Sequence, residues 1–268
     1  MAHRTPEFEE SLAFLRRFAV IALLGLIGVA ALVPGVLDSI DEIGLQNLPD
    51  FPVPVLTLLS IINPAFLVIA AAAVGALVAP RVGLGSLLAD RAGRVGDTGD
   101  EPAATDKTPG IGVALLAGVA AGLLLMAAGT LAPFPAQLAA APEAGAGFRD
   151  ALLNAVYGGL GEEVIARWGL LTLLAWAFNR FRNTGTIEAS RMWPAILVTA
   201  LLFGIFQLPT TMGAAPLTAG LVGWTVALNG LTGVLYGWLY WRHSLEAAMV
   251  AHFVTLLFFP VASLLGLA

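Results

Sequence analysis

Seven runs of apolar residues divide the chain: Phe18–Leu37, Val55–Val78, Ile111–Phe134, Ala151–Phe178, Trp193–Leu208, Leu217–Trp241 and Leu245–Leu267. Most reach about 20 residues, enough at 1.5 Å per residue to cross a hydrocarbon core of about 30 Å. In lipid the backbone must satisfy its own hydrogen bonds, so the runs are expected to be helices. The pattern predicts an all-α integral membrane protein, about seven transmembrane helices in a bundle. The first run follows Arg16 and Arg17 as a signal peptide would. It exceeds the usual apolar core of about 7–15 residues, so it reads as a retained span. The layout is then an N-terminal tail over 1–17, three spans over 18–134, and four spans over 151–268 that carry the chemistry. Residues 90–110, rich in Gly, Asp, Thr and Pro, read as a polar loop between spans two and three. No repeat of fixed period and no duplicated pair of broken helices is visible, which argues against a secondary transporter.

Composition agrees with the pattern. Of 268 residues, 58% are hydrophobic and 12% charged, against about 25% charged in a soluble domain. The absence of cysteine excludes disulfides, a thiol nucleophile and a thiolate metal site. A net charge of -5 spread over several loops argues for neither a nucleic-acid partner nor an acidic tail. The expected partners of a membrane chain are lipid and a membrane protein or peptide, with no nucleic acid. With the N-terminus in the cytoplasm, Arg4, Arg16, Arg17, Arg81, Arg91, Arg94, Lys107, Arg180, Arg182, Arg191 and Arg242 fall inside and only Arg149 outside. That predicts a multi-pass cell-membrane protein with its C-terminus outside.

Ionisable groups within such spans cost several kcal/mol on insertion scales and mark candidate sites. The fourth run holds Glu162, Glu163 and Arg167. Glu163 and Arg167, four apart, share a helix face and are expected to pair as a structural element. Glu162 lies about 100° around the helix. Without so good a partner, it suits a general base in a desolvated site. His252 is the only histidine well inside an apolar run, whereas His243 follows Arg242 at a helix end and reads as interfacial. Asn229 and the Gly233-x-x-x-Gly237 spacing read equally as packing elements or site residues.

In order and spacing these residues resemble the CAAX-protease and bacteriocin-processing family of intramembrane endopeptidases, which includes the abortive-infection proteins. The likeness covers about the last 115 residues. It rests on Glu162-Glu163-x-x-x-Arg167, on Phe203-x-x-x-Gln207 where the family has Phe-x-x-x-His, and on His252, followed four residues later by Leu256 where the family has Asn or Asp. The resemblance implies that the first glutamate and the second-motif histidine activate water, while the last histidine and its partner stabilise the oxyanion. Here Glu162, Gln207 and His252 would fill the catalytic positions, with Glu163, Arg167 and Phe203 in support. Glutamine orients a water but takes no proton at neutral pH. A lost acid or base costs about 10²- to 10⁴-fold, and a lost oxyanion donor about 10²- to 10³-fold.

A divalent metal is poorly supported. Glu162 and His252 are the only strong donors at the matched positions, and catalytic zinc usually has three protein ligands. No cofactor is assigned, and the oligomeric state is not legible. The leading expectation is an endopeptidase weakened at Gln207. Beside it stand a catalytically degenerate relative that binds a peptide or protein without cutting it, and a proton-coupled carrier using Glu162. Counting inward from the helix ends places His252 about 10 Å deep and Glu162 about 24 Å deep. The two meet only if the helices tilt or the fourth helix protrudes.

Overall fold

The computed structural model describes residues 6–42, 44, 52–94, 110–131, 147–180, 187–214 and 216–266. Their elements are helical: α1 Pro6–Ala31, α2 Val33–Glu42, α3 Val53–Val78 with a 3₁₀ turn Ala79–Val82, α4 Leu87–Gly93 and α5 Ile111–Leu131. After these come α6 over 148–179, α7 Ala189–Phe206, α8 Leu208–Ala214, α9 Ala219–Arg242 and α10 Leu245–Leu264. Among the described residues six helical stretches are long and apolar enough to span a membrane, and α6 supplies the remaining run of the pattern. The chain is an integral membrane helical bundle.

Departures from the sequence pattern have causes both local and distant along the chain. The first helix begins at Pro6, ahead of the apolar run, with Glu7 and Glu9 in its first turn, where acidic groups complement the helix dipole. The expected polar loop over 90–110 is helical at its start, because residues 90–93 belong to α4. The Ser86 hydroxyl caps this helix by accepting from the Ala89 N–H. The Glu246 carboxylate, reaching over from α10, accepts from the Leu87 and Leu88 N–H groups at 3.0 Å each and from the Ser86 hydroxyl. Free helix N–H groups are thereby satisfied by a residue far along the chain. Residues 95–109 of that loop lie outside the described residues. In the fifth run the ladder breaks at Gln207, since Pro209 lacks an N–H and its ring opposes the carbonyl four residues earlier.

The centre of α6 is the least regular helix in the bundle. Its ends, Phe148–Val156 and Thr172–Asn179, are α-helical, whereas Tyr157–Glu162 and Val164–Leu171 take wider π-helical turns. Helices α1 and α3 lie along this widened stretch, α7 pairs with α9, and α10 packs on α5, α6 and α9. Small residues let the backbones approach. A Cβ on Gly28 of α1 would stand 2.6 Å from the Gly161 backbone nitrogen. The Trp168 indole covers Gly75 of α3 and donates to the Ala72 carbonyl at 3.2 Å. The Thr255 hydroxyl of α10 reaches the Gly118 carbonyl of α5 at 3.2 Å.

One further contact sets the relative height of the helices that carry the site. The Thr172 and Tyr240 hydroxyls meet at 2.8 Å, so Thr172 is level with a residue just before the end of α9. Residues 173–179 therefore run on past the turn joining α9 and α10. That overhang brings Glu162 to the height of His252.

The Gly28 contact yields a test. Gly28→Ala is expected to destabilise the fold by about 1–3 kcal/mol, because the added methyl meets backbone that cannot rotate away. Gly35→Ala, with nothing within 4 Å of the added carbon, is expected to leave stability unchanged or raised. Thermal unfolding in detergent distinguishes the pair, and equal melting temperatures would refute the close approach.

Candidate active site

Glu163 is fully buried and holds two partners on one carboxylate oxygen. Its Oε1 is 3.0 Å from Arg167 Nη1 and 2.8 Å from His252 Nδ1. Arg167, equally buried, donates from Nη2 to the Gly233 carbonyl at 3.1 Å. Its guanidinium lies 4.6 Å from the Phe203 ring centroid and 5.3 Å from that of Tyr236. One positive group thus ties α6 to α7 and α9. The spacing of four residues anticipates the Glu163–Arg167 pair but not the link to His252, which comes from a helix 89 positions further on.

Glu162, on the neighbouring face, is partly open, with 22% of its side chain exposed. Gln207 donates its amide to both carboxylate oxygens, at 3.3 and 3.4 Å. His252 Nε2 stands 3.8 Å from Glu162 Oε2, too far for a direct hydrogen bond and wide enough for a small group to approach. The structure therefore brings Glu162, Gln207 and His252 together. His252 is sandwiched by stacking on Tyr236, with centroids 4.7 Å apart, and by the edge of Phe203 at 5.8 Å. These contacts and the Nδ1 bond fix the ring's plane. Gly158 closes the remaining side, where a Cβ would sit 3.2 Å from Nε2 and 2.5 Å from a Leu256 methyl. Leu256 thus borders the site and brings no donor.

Gln207 owes its aim to the helix break. The Thr211 hydroxyl donates to the Gln207 carbonyl at 3.2 Å and lies 3.4 Å from the Thr225 hydroxyl, tying the break to α9. Asn229 donates to the Thr225 carbonyl of its own helix at 2.9 Å. Gly233 and Gly237 pack α9 against Ala200 and Ile196 of α7. His243 closes the end of α9, its ring 6.0 Å edge-on from Trp238. Tyr236 is a site residue that its local sequence does not signal, because it acts through its contact with His252 of α10.

The donor set does not fit a metal ion. Glu163 is engaged by Arg167 and His252, which leaves Glu162 and Nε2 of His252. Among the described residues no three His, Cys, Asp or Glu side chains gather as a metal site.

Residues 145–258 match the family model described as type II CAAX prenyl endopeptidase Rce1-like. Over this stretch, somewhat under half of the chain, the sequence is similar to the CAAX-protease family, a family of membrane proteases. The match takes in α6 to α10 up to Phe258, and so every residue of the site. No curated protein and no solved structure matches the chain.

The buried pair predicts a stability effect. Arg167→Ala leaves Glu163 facing a histidine alone in a dry interior and is expected to cost about 3–5 kcal/mol. Arg167→Lys should recover only part of this, since an ammonium reproduces neither the planar stacking nor the fork of donors. Wild-type melting temperature and expression for Arg167→Ala would contradict the role given to the pair.

Proposed function

We propose that the chain is an intramembrane endopeptidase that hydrolyses a peptide bond of a membrane protein or membrane-bound peptide. The observation that carries this reading is a partly open carboxylate, Glu162, faced by Gln207 and by an imidazole nitrogen whose other ring nitrogen is held by a buried carboxylate.

Glu162 accepts a proton from a water as the water oxygen adds to the scissile carbonyl carbon. Gln207 fixes the carboxylate through its amide and takes no proton. His252, with Nδ1–H directed to Glu163, presents Nε2; as imidazolium it donates to the carbonyl oxygen on which negative charge develops. Glu162 then passes its proton to the leaving amide nitrogen, the C–N bond breaks, and an acid and an amine depart. Glu163 and Arg167 take no part in the proton transfers. Their opposite charges offset one another and keep His252 in a single orientation.

A second reading rests on Gln207 itself. Its amide occupies both oxygens of the partly open Glu162 carboxylate, where a histidine would share the proton transfer. A site so arranged suits a relative that binds a peptide without cutting it.

The two readings separate in a cleavage assay on a membrane-peptide library. If the chain is an enzyme, Glu162→Gln removes activity by about 10²- to 10⁴-fold. Gln207→His should raise activity by about an order of magnitude or more, because it places an acid or base beside Glu162. Leu256→Asn should add to that gain by supplying a donor on the other side of the carbonyl. Strong wild-type cleavage unaffected by Gln207→His would show that glutamine suffices. No cleavage in any variant, together with retained peptide binding, would favour the binding protein.

A further inference from the structure

An asparagine in a membrane-spanning helix is costly unless its amide is used, and Asn229 of α9 uses only half of its amide within its own helix. Its Nδ2 donates to the Thr225 carbonyl at 2.9 Å. A carbonyl accepts only from the amide nitrogen, so Oδ1 is the end left over. That oxygen accepts no hydrogen bond among the described residues.

Contacts on either side fix the level at which Asn229 stands. Phe203, Gln207 and Thr211 follow one another at intervals of four along α7 and α8, and Gly233, Asn229 and Thr225 do so in the opposite sense along α9. The first pair touches, since a Cβ on Gly233 would lie 3.4 Å from the Phe203 ring, and the last pair meets through hydroxyls 3.4 Å apart. Gln207 and Asn229 form the rung between them. Helix α6 gives the same level independently. Tyr240 meets Thr172 and Gly233 meets Arg167, so α9 and α6 keep step. One turn back from Gly233 stands Asn229, and a little over one turn back from Arg167 stands Glu162. Burial marks this level as open. On the same face of α9, Thr225, Gly233 and Tyr236 are buried, whereas Asn229 among them is only partly so, as are Gln207 and Glu162.

We infer that Asn229 is a substrate-binding residue, whose amide oxygen accepts a main-chain N–H of the substrate beside the scissile bond. A membrane segment opened far enough to present a carbonyl to Glu162 also presents N–H groups, and lipid has no acceptor for them. Glu163 is enclosed by Arg167 and His252, and Glu162 is needed for the water, so the neutral oxygen of Asn229 is the acceptor on the α9 wall. This assignment rests on the endopeptidase reading and adds to it the group that is recognised, a peptide N–H.

The test is steady-state cleavage by the full chain in liposomes. The substrates are a library peptide that the wild type cleaves and analogues in which one flanking amide at a time is replaced by an ester. Each ester removes one N–H and keeps the length of the chain. Asn229→Leu keeps the size of the side chain and removes the acceptor. On the all-amide peptide it is expected to raise KM about tenfold with kcat little changed, as the loss of one hydrogen bond made throughout binding. With one particular ester the wild type should lose the same factor and the variant nothing more, because the partner is already gone. Equal penalties from Asn229→Leu on every peptide of the series would overturn the inference, as would a wild type indifferent to all the esters. Asn229→Ala is read in the same way where Asn229→Leu fails to fold, and a lowered melting temperature with wild-type KM, the behaviour of a packing residue, also overturns it. Failure of the wild type to cleave any library member removes the endopeptidase reading and this assignment with it. Wild-type cleavage without an ester-dependent effect of Asn229 removes the assignment alone.

Discussion

One buried carboxylate sets the terms for the rest of the molecule. A lone glutamate in an apolar bundle would be expensive to keep ionised, and Glu163 avoids that by facing Arg167 and His252 at 3.0 and 2.8 Å. Each partner carries a further constraint. Arg167 cannot satisfy Glu163 without α9 lending the Gly233 carbonyl and α7 lending the Phe203 ring. His252 cannot do so without turning its second nitrogen toward Glu162. The arrangement fixes three helices around α6 and orients the site by the same contacts, so stability and chemistry are coupled at one oxygen atom.

Two adjacent glutamates acquire different tasks from that geometry. Glu163 faces inward, between Arg167 and His252, and Glu162 faces the open side, beside an amide and an imidazole. The division needs a widened helix as well. The π-turns interrupt the regular helix where Gly158 leaves room for the imidazole and Glu163 binds it. Irregular helix at a polar site is affordable here because α1 and α3 enclose it. Gly28 against Gly161, and Trp168 against Gly75 and Ala72, show how closely those N-terminal helices cover the stretch.

Much of this was legible along the chain. Apolar runs and scarce charge require a helical membrane bundle, since lipid offers no hydrogen bonds to an open backbone. The spacing of Glu163 and Arg167 is a property of one helix, so their pairing can be read locally. The signature positions of Glu162, Gln207 and His252 are likewise a matter of order and interval. One feature that sequence periodicity misplaced is supplied from elsewhere, where Glu246 caps α4 and turns the start of a polar loop into helix.

The tertiary structure alone decided which carboxylate holds the histidine, that Gln207 aims at Glu162, and that Tyr236 and Gly158 frame the ring. Each depends on the relative height and rotation of separate helices, which a hydrophobic pattern leaves free. Height is set by hydroxyl and backbone contacts such as Thr172 with Tyr240, which carries α6 past the α9–α10 turn. Rotation is set by where glycine lets two backbones meet and where a helix departs from its regular turn. Local sequence determines what each helix can offer; close packing between helices determines which offers coincide.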